Sequence, residues 1–312
     1  MTLTQLRALV EVAATGSVRQ AASQLVVSQP AVSAAVAALQ RDLGVALVAR
    51  EGRGLVLTPA GRVFAGYARQ ILGLLEEGRA AAAGQLHPER GRVRLAAVTT
   101  AGEHVLPLFL AAFRASWPQA EVALEVGNRS RVWELLGYRE VDLVIGGRPP
   151  VGGRFRTLAT RPNPLVVVAP TDGQDGVPDD EGVRGVREVG VAELAAQVWL
   201  LREAGSGTRS TAEELFEELG ISPPTLTLGS NGAVRESVRA GLGVTLISRD
   251  AVARELGGGA LEEWHVPGLP LRRAWHVVGR AGEDLPPTAG LFLAGLADSG
   301  GNAGGGCFAL AD

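Results

Sequence analysis

The 312-residue sequence predicts a multidomain α+β protein, with a small helical head and two-stranded wing, a long linker helix and a two-lobed α/β body. Three observations predict this order. Apolar residues recur at helical spacing near the N-terminus, a second and longer helical stripe follows, and alternating strand and helix patterns begin at Arg92. The predicted units are a head over residues 1–59, a linker helix and hinge over 60–90, and a body over 91–298.

The head has the order helix, tight turn, helix and wing. Ser17 and Ser28 can cap the second and third helices, and Pro30 falls in the first turn of the third, where a missing N–H does no harm. Val45–Ala49 and Leu55–Leu57 then alternate as two short strands. This order predicts a winged helix-turn-helix, a module that places one helix in the major groove of DNA.

The linker is predicted as one helix from Ala60 to Ala83, followed by a hinge at 84–91. A helix of this length extends roughly 36 Å and needs a surface to cover its apolar stripe. We favour a second copy of the chain as that surface, and the alternative is packing against the chain's own body. The stripe contains Val63, Phe64, Tyr67, Ile71, Leu74 and Leu75.

The body alternates short apolar strands with helices, a pattern that predicts parallel sheets covered by helices on both faces. Its length favours two lobes. We place lobe I at residues 91–168 and 268–298, and lobe II at 169–267. The Gly-rich stretch 299–312 is predicted to be a disordered tail.

Charge is divided unevenly along the chain. All 30 basic residues are Arg; residues 1–90 hold 9 Arg and 6 Asp or Glu, whereas residues 91–312 hold 21 Arg and 27 Asp or Glu. A basic head on an acidic body is typical of a protein that contacts DNA through the head alone. The single Cys excludes an internal disulfide, and no apolar run can span a bilayer, so we expect a cytoplasmic protein without membrane contact.

Several phrases resemble the LysR-type transcriptional regulators. The head carries the segment from Ala21 to Arg50 and the phrase LTPAG at 57–61, and the body carries REAGSGTR at 202–209. GGRPP at 146–150 and PLRRAWHVV at 270–278 further resemble the branch that contains regulators of carbon-fixation (Calvin-cycle) operons.

The resemblance implies a homotetramer, built as a dimer of dimers through the linker helices. It implies a body of the periplasmic-binding-protein type that binds a small-molecule coinducer in its interlobe cleft, with no other cofactor. Double-stranded promoter DNA and RNA polymerase are the implied partners, with activation as the commoner mode. The carbon-fixation branch points to Calvin-cycle or photorespiratory intermediates as coinducers.

The N-terminal end of the third helix is predicted to face base edges, because that end enters the groove in helix-turn-helix proteins. Gln29 can pair with adenine, whereas Ala34 and its neighbour Ala35 offer only methyl groups, which shifts weight to the shape of the DNA. Arg residues of the wing are expected to meet phosphate or the minor groove. The predicted DNA contacts are Arg19, Gln20, Ser28, Gln29, Pro30, Ser33, Ala34, Arg50 and Arg53.

Polar residues follow several body strands where helices begin. Such helix N-termini favour anions, so their convergence predicts an anionic coinducer, a carboxylate or phosphate ester. The alternative for each residue alone is a simple helix cap. The predicted effector contacts are Thr99, Thr100, Asn128, Arg148, Arg202, Ser206, Thr208 and Asn231.

Two rival interpretations receive less support from the residues. An enzyme needs a nucleophile, base or metal cluster, but the four His are scattered without metal-ligand spacing, and GSGT at 205–208 lacks the Lys of a P-loop. We therefore predict neither catalysis nor a metal site. A solute-binding or sensor protein without a DNA role would account for the body but not for the fused head.

Overall fold

The structure is a computed structural model, and it confirms the predicted fold class: a winged helix-turn-helix head, a long helix and a two-lobed α/β body. Among the described residues, no single helix is long and apolar enough to span a membrane. Helices Val18–Leu25 and Gln29–Leu43 together have the length and composition of a span, but the pair is bent by 107°. The structure describes residues 1–52, 54–84, 87–171, 187–266, 268–298 and 306–311.

The head consists of α1 (Leu3–Thr15), α2 (Val18–Leu25), α3 (Gln29–Leu43) and an antiparallel wing of β1 (Val48–Glu51) and β2 (Gly54–Leu57). Ser17 and Ser28 cap α2 and α3 as predicted, because each hydroxyl accepts a hydrogen bond from an N–H of the first turn. The Gln40 side chain accepts hydrogen bonds from the N–H groups of Leu47 (2.8 Å) and Val48 (3.2 Å), which ties the wing to α3.

Helix α4 (Pro59–Gly84) belongs to the head as much as to the linker. Ala65 and Ala68 are buried in the head core, and a Cβ on Gly61 would lie 1.8 Å from the Leu47 carbonyl oxygen. The predicted boundary at residue 59 therefore falls inside a packed unit. The residues that pack together in the head core lie far apart in the sequence, so composition alone does not mark where the head ends.

Lobe I begins after a short 3-10 turn (Pro88–Arg90). Its first elements are β3 (Arg92–Val98), a π-helical turn (Ala101–Val105), α5 (Leu106–Ser116), β4 (Glu121–Gly127), α6 (Arg129–Gly137) and β5 (Leu143–Gly146). Strand β3 pairs in parallel with β4 and β5. The 16-residue strand β6 (Phe155–Pro170) then leaves lobe I and enters lobe II without a break.

Lobe II contains β7 (Arg187–Glu188), α7 (Val191–Ala196), β8 (Trp199–Arg202), α8 (Gly207–Leu219), β9 (Thr225–Leu228), α9 (Asn231–Arg239), β10 (Thr245–Ser248), α10 (Arg249–Gly257) and β11 (Leu261–His265). Strands β10 and β11 pair antiparallel with the second half of β6. Apolar clusters on both sides of these strands form the core of the lobe.

The chain returns to lobe I along β12 (Leu271–Arg280), which pairs antiparallel with β6 over its whole length and with β5. The sheet is therefore mixed, and the predicted parallel arrangement is wrong for these strands. The predicted lobe boundaries also shift. Val166–Val168 already lie in the lobe II cores, as does Leu269, because the two crossing strands are each shared by both lobes.

The last elements are α11 (Pro287–Asp298) and β13 (Ala309–Leu310). Strand β13 pairs with Ala159–Thr160 of β6, and Phe308 is only 1% exposed beside Phe109. The predicted disordered tail is wrong for residues 306–311, because one aromatic ring and two strand residues complete lobe I. Residues 299–305 and 312 lie outside the described residues.

Candidate functional site

The N-terminal end of α3 presents its polar side chains to solvent. Val32, Val36 and Leu39 are buried on the inner face of the helix, which leaves Gln29 and Ser33 on the outer face. Arg53 lies outside the described residues. The other predicted DNA contacts are all exposed: Arg19, Gln20, Ser28, Gln29, Pro30, Ser33, Ala34 and Arg50.

A cavity of about 750 Å³ lies between lobe I and lobe II. Asn231 is the one predicted effector contact that does not line it, since its side chain is 2% exposed and lies behind the wall. The predicted residues that line the cavity are Thr99, Thr100, Asn128, Arg148, Arg202, Ser206 and Thr208.

Helices α6 and α8 begin at this cavity, and their caps differ. The Asn128 side chain caps α6 by accepting a hydrogen bond from the Arg131 N–H at 3.0 Å. The Ser206 side chain makes no capping hydrogen bond to α8, although it is only 8% exposed. The first N–H groups of a helix have no partner in a preceding turn. The start of α8 therefore offers donors and a hydroxyl to a ligand.

A chain of buried polar side chains joins the two lobes at the floor of the cavity. The Asn231 amide of lobe II donates a 2.9 Å hydrogen bond to the Thr100 hydroxyl of lobe I and accepts one from Arg202. Arg202 also binds both carboxylate oxygens of Glu203, at 2.7 and 2.9 Å. The hydrogen bonds to Arg202 lower the pKa of Glu203, although burial opposes the shift.

The cavity wall carries more positive than negative charge, with five arginines and two glutamates among the described lining residues. Burial lowers the pKa of His276 in this wall, and the charge of Arg148 lowers it further. Lining residues that the sequence prediction omitted include Arg129, Asn163, Glu203, Glu214, Ser248, Arg272, Arg273 and His276. Several of them fall in the PLRRAWHVV phrase, which could have marked them.

The described residues contain no group of three His, Cys, Asp or Glu side chains that could hold a metal ion. The polar groups that converge are instead arginines, hydroxyls and helix N–H groups, which are donors suited to an anion. The site can bind and orient a small anionic molecule.

Comparison with known families decides the identity. Residues 3–62 match the bacterial regulatory helix-turn-helix of the lysR family, and residues 87–300 match the LysR substrate binding domain. The chain belongs to the LysR family of transcriptional regulators. It is a DNA-binding regulator with an effector-binding domain, and the alternative of a solute-binding protein without a DNA role is not supported.

This LysR-type regulator is 36% identical over 293 residues to the RuBisCO operon transcriptional regulator of Allochromatium vinosum, covering 94% of each chain. It is 34% identical over 281 residues to the transcriptional regulator CbbR of Rhodospirillum rubrum, covering 90% of each. These relatives confirm the resemblance to the carbon-fixation branch. Because they are transcriptional regulators, they also support the prediction that the chain is not an enzyme.

Solved structures that are similar to the LysR-type regulator include a full-length regulator with DNA and a regulatory domain with a ligand. Full-length CbnR in complex with its target DNA has a TM-score of 0.66 at 24% identity, covering 95% of this chain and 98% of that one. At that identity the likeness concerns the fold. The regulatory domain of Synechocystis PCC6803 CcmR in complex with 2-PG has a TM-score of 0.57 at 29% identity, covering 65% of this chain and 96% of that one.

Proposed function

We propose that this protein binds promoter DNA of a carbon-fixation operon and that a small anionic metabolite in the interlobe cavity controls the binding. The observation that carries the proposal is the union, in one chain, of an exposed α3 N-terminus and an Arg-rich interlobe cavity. The relatives that regulate RuBisCO operons support the choice of target. We place this activity in the cytoplasm, where promoter DNA and RNA polymerase meet.

For the head, we propose that the first turns of α3 contact base edges in the major groove. Gln29 is fully outside the head core and can donate to and accept from adenine. Ser28 has a double role, since its hydroxyl also accepts a 3.3 Å hydrogen bond from Ala31 N–H. Arg50 and Arg53 of the wing would contact phosphate or the minor groove, and Arg19 and Gln20 would contact the DNA backbone.

We predict that Gln29→Ala weakens binding to the specific site by about 1–3 kcal/mol and leaves binding to random DNA unchanged. Arg50→Ala should weaken binding to both and reduce the salt slope by about 1. Fluorescence anisotropy over a salt series measures both effects. Gln24→Ala, an exposed Gln on α2, is the matched control. Equal losses on specific and random DNA for Gln29→Ala would contradict this division of roles.

For assembly, we propose that the exposed side of α4 pairs with a second copy of the chain, and that two such dimers form a tetramer. Val63 is 65% exposed, Tyr67 61%, Ile71 42% and Leu74 54%, which is unusual for apolar residues at helical spacing. Another side of α4 packs on the chain's own lobe I, through Gly73 for example. Pairing with a second copy and packing against the chain's own body can therefore use different faces of α4.

For the ligand, we propose a carboxylate or phosphate ester held between the N-terminus of α8 and the arginines of the cavity. The complex of the related CcmR domain with 2-PG supports this class and supplies a probe. Calorimetry of the full chain with 2-PG, sugar phosphates and small organic acids tests the proposal. Binding of neutral or cationic compounds alone would refute it. Ser206→Ala should weaken the binding several-fold, because a hydroxyl donor is lost.

We propose that ligand binding rotates one lobe against the other and thereby changes the spacing of the heads in the tetramer. Altered head spacing would change the bend of the bound DNA and its presentation to RNA polymerase, which suits an activator. DNase I footprints of the upstream region with and without 2-PG should differ in length or in their hypersensitive positions. Identical footprints would argue for another switch.

A further inference from the structure

One wall of the cavity is built by β12, the strand that contains the PLRRAWHVV phrase. His276 lies on this strand where it runs between β5 and β6, with Gly146 and Thr160 as its Cα partners. The residue is therefore fixed on a central strand of lobe I and lines the cavity from that side. The proposed function makes no use of it.

The surroundings of His276 disfavour the charged form of its ring. Nδ1 lies 3.3 Å from the Thr157 hydroxyl, and Arg148 lines the same cavity. Burial lowers the pKa of His276, and the charge of Arg148 lowers it further. An anionic group that binds next to the ring would act in the opposite direction and favour the imidazolium.

Other charges around this wall do not neutralise Arg148. Helix α6, which packs against β12, brings Arg129, whose guanidinium donates a 2.8 Å hydrogen bond to the Arg148 carbonyl. The glutamates of the cavity, Glu203 and Glu214, lie in lobe II and pair with Arg202 and Arg273. Within the described ranges, no carboxylate pairs with Arg148. The remaining charged lining residue, Arg272, adds positive charge.

We propose that Arg148 and His276 form an anion subsite of lobe I, and that His276 takes up a proton from solvent when an anionic group of the ligand binds there. The inference rests on the proposed function, because it concerns the same cavity. It narrows the ligand class to molecules with two anionic groups. One group would bind at the start of α8 in lobe II and the other at this subsite, so that the ligand bridges the lobes.

The proton uptake determines how the affinity for the ligand changes with pH. An anionic group beside the ring favours imidazolium, so the pKa of His276 is higher in the complex than in the free protein. The complex then binds more protons, and affinity rises as pH falls through the interval between the two pKa values. A phosphate ester titrates near pH 6 itself. A carboxylate with a sulfonate group, such as sulfoacetate, keeps its charge over this range and isolates the protein's contribution.

Isothermal titration calorimetry of the full chain with 2-PG and with sulfoacetate, near neutral pH in buffers of different ionisation enthalpy, measures the uptake directly. The wild-type protein should take up protons with sulfoacetate, and with 2-PG it should take up more protons than His276→Gln does. His276→Gln should bind several-fold more weakly, with no proton uptake for sulfoacetate, and Arg148→Gln about 10- to 100-fold more weakly. His265→Gln, which changes an exposed His of lobe II outside the cavity, should retain both affinity and uptake.

The outcomes separate this inference from the proposed function. Binding of sulfoacetate without proton uptake in the wild-type protein, or equal proton uptake by the wild-type protein and His276→Gln with either probe, would overturn the subsite and leave the proposal of an anionic ligand intact. If neither probe binds, and no sugar phosphate or organic acid binds, both the subsite and the proposed anionic ligand are overturned. Circular dichroism of each variant verifies that the body is folded.

Discussion

Asn231 is one of the side chains through which the lobes touch each other. It is 2% exposed, donates to Thr100 in lobe I and accepts from Arg202 in its own lobe. When a buried amide that serves two partners is removed, each partner loses a hydrogen bond. Asn231 therefore holds Thr100 and Arg202, two of the proposed ligand contacts, in place and does not itself line the cavity.

Asn231→Ala should lower the free energy of unfolding of the body by about 1–3 kcal/mol, because Arg202 and Thr100 lose a buried partner. Urea unfolding followed by Trp fluorescence measures the change, since all five Trp lie in the body. Thr225→Ala, an exposed residue of β9, is the control. A variant as stable as the wild type would show that the hydrogen bond between Asn231 and Thr100 makes no net contribution to the free energy of unfolding.

At the scale of elements, α4 connects the head to lobe I through a partly buried ionic network. Glu77 accepts hydrogen bonds from Arg139 (2.9 Å) and pairs with Arg280 (2.7 Å), and both arginines also bind Glu283. Gly73 permits the approach, because a Cβ there would lie 2.5 Å from the Tyr138 carbonyl oxygen. We expect a movement of lobe I to reach α4 through these partly buried side chains.

Glu77→Gln should reduce the free energy that holds α4 against lobe I by about 2–3 kcal/mol. The reason is that two arginines lose a shared carboxylate in a partly buried site. Hydrogen exchange of α4 and of the segment around Arg139 should increase, while exchange of lobe II should not. Glu76→Gln, a half-exposed neighbour, is the matched control. Unchanged exchange in α4 would mean that Gly73 packing alone holds the helix.

The elements also show which features local sequence can predict. The caps of α2 and α3 and the helical stripe of α4 were recognisable, because hydroxyl caps and period-3.6 patterns are local signals. Local sequence predicts strand β6 only over its apolar end, residues 165–170. The part before it contains Arg161, Pro162 and Pro164, and it is a strand because β12 pairs with it. The PLRRAWHVV phrase marks His276 as a residue of the branch, but its place in the cavity wall depends on how the strands cross.

At the scale of the whole molecule, the exposed side of α4 predicts the state of assembly. Replacing Tyr67 and Leu74 by Glu should break the proposed dimer, because charges would be buried in an apolar helix pair. Light scattering after size-exclusion chromatography should then report a smaller species than the wild type. Val151→Glu, at a fully exposed position of lobe I, should leave the mass unchanged. A monomeric wild-type protein would contradict the proposal.

The central claim is that an anion between the lobes changes how the head binds DNA. Fluorescence anisotropy of the purified full chain on its own upstream region, with and without 2-PG and the other anionic probes, tests it most directly. We predict specific binding that is salt-dependent and whose affinity or footprint changes with an anion that the body binds. No specific binding at low salt, or binding identical in the presence of such an anion, would contradict it.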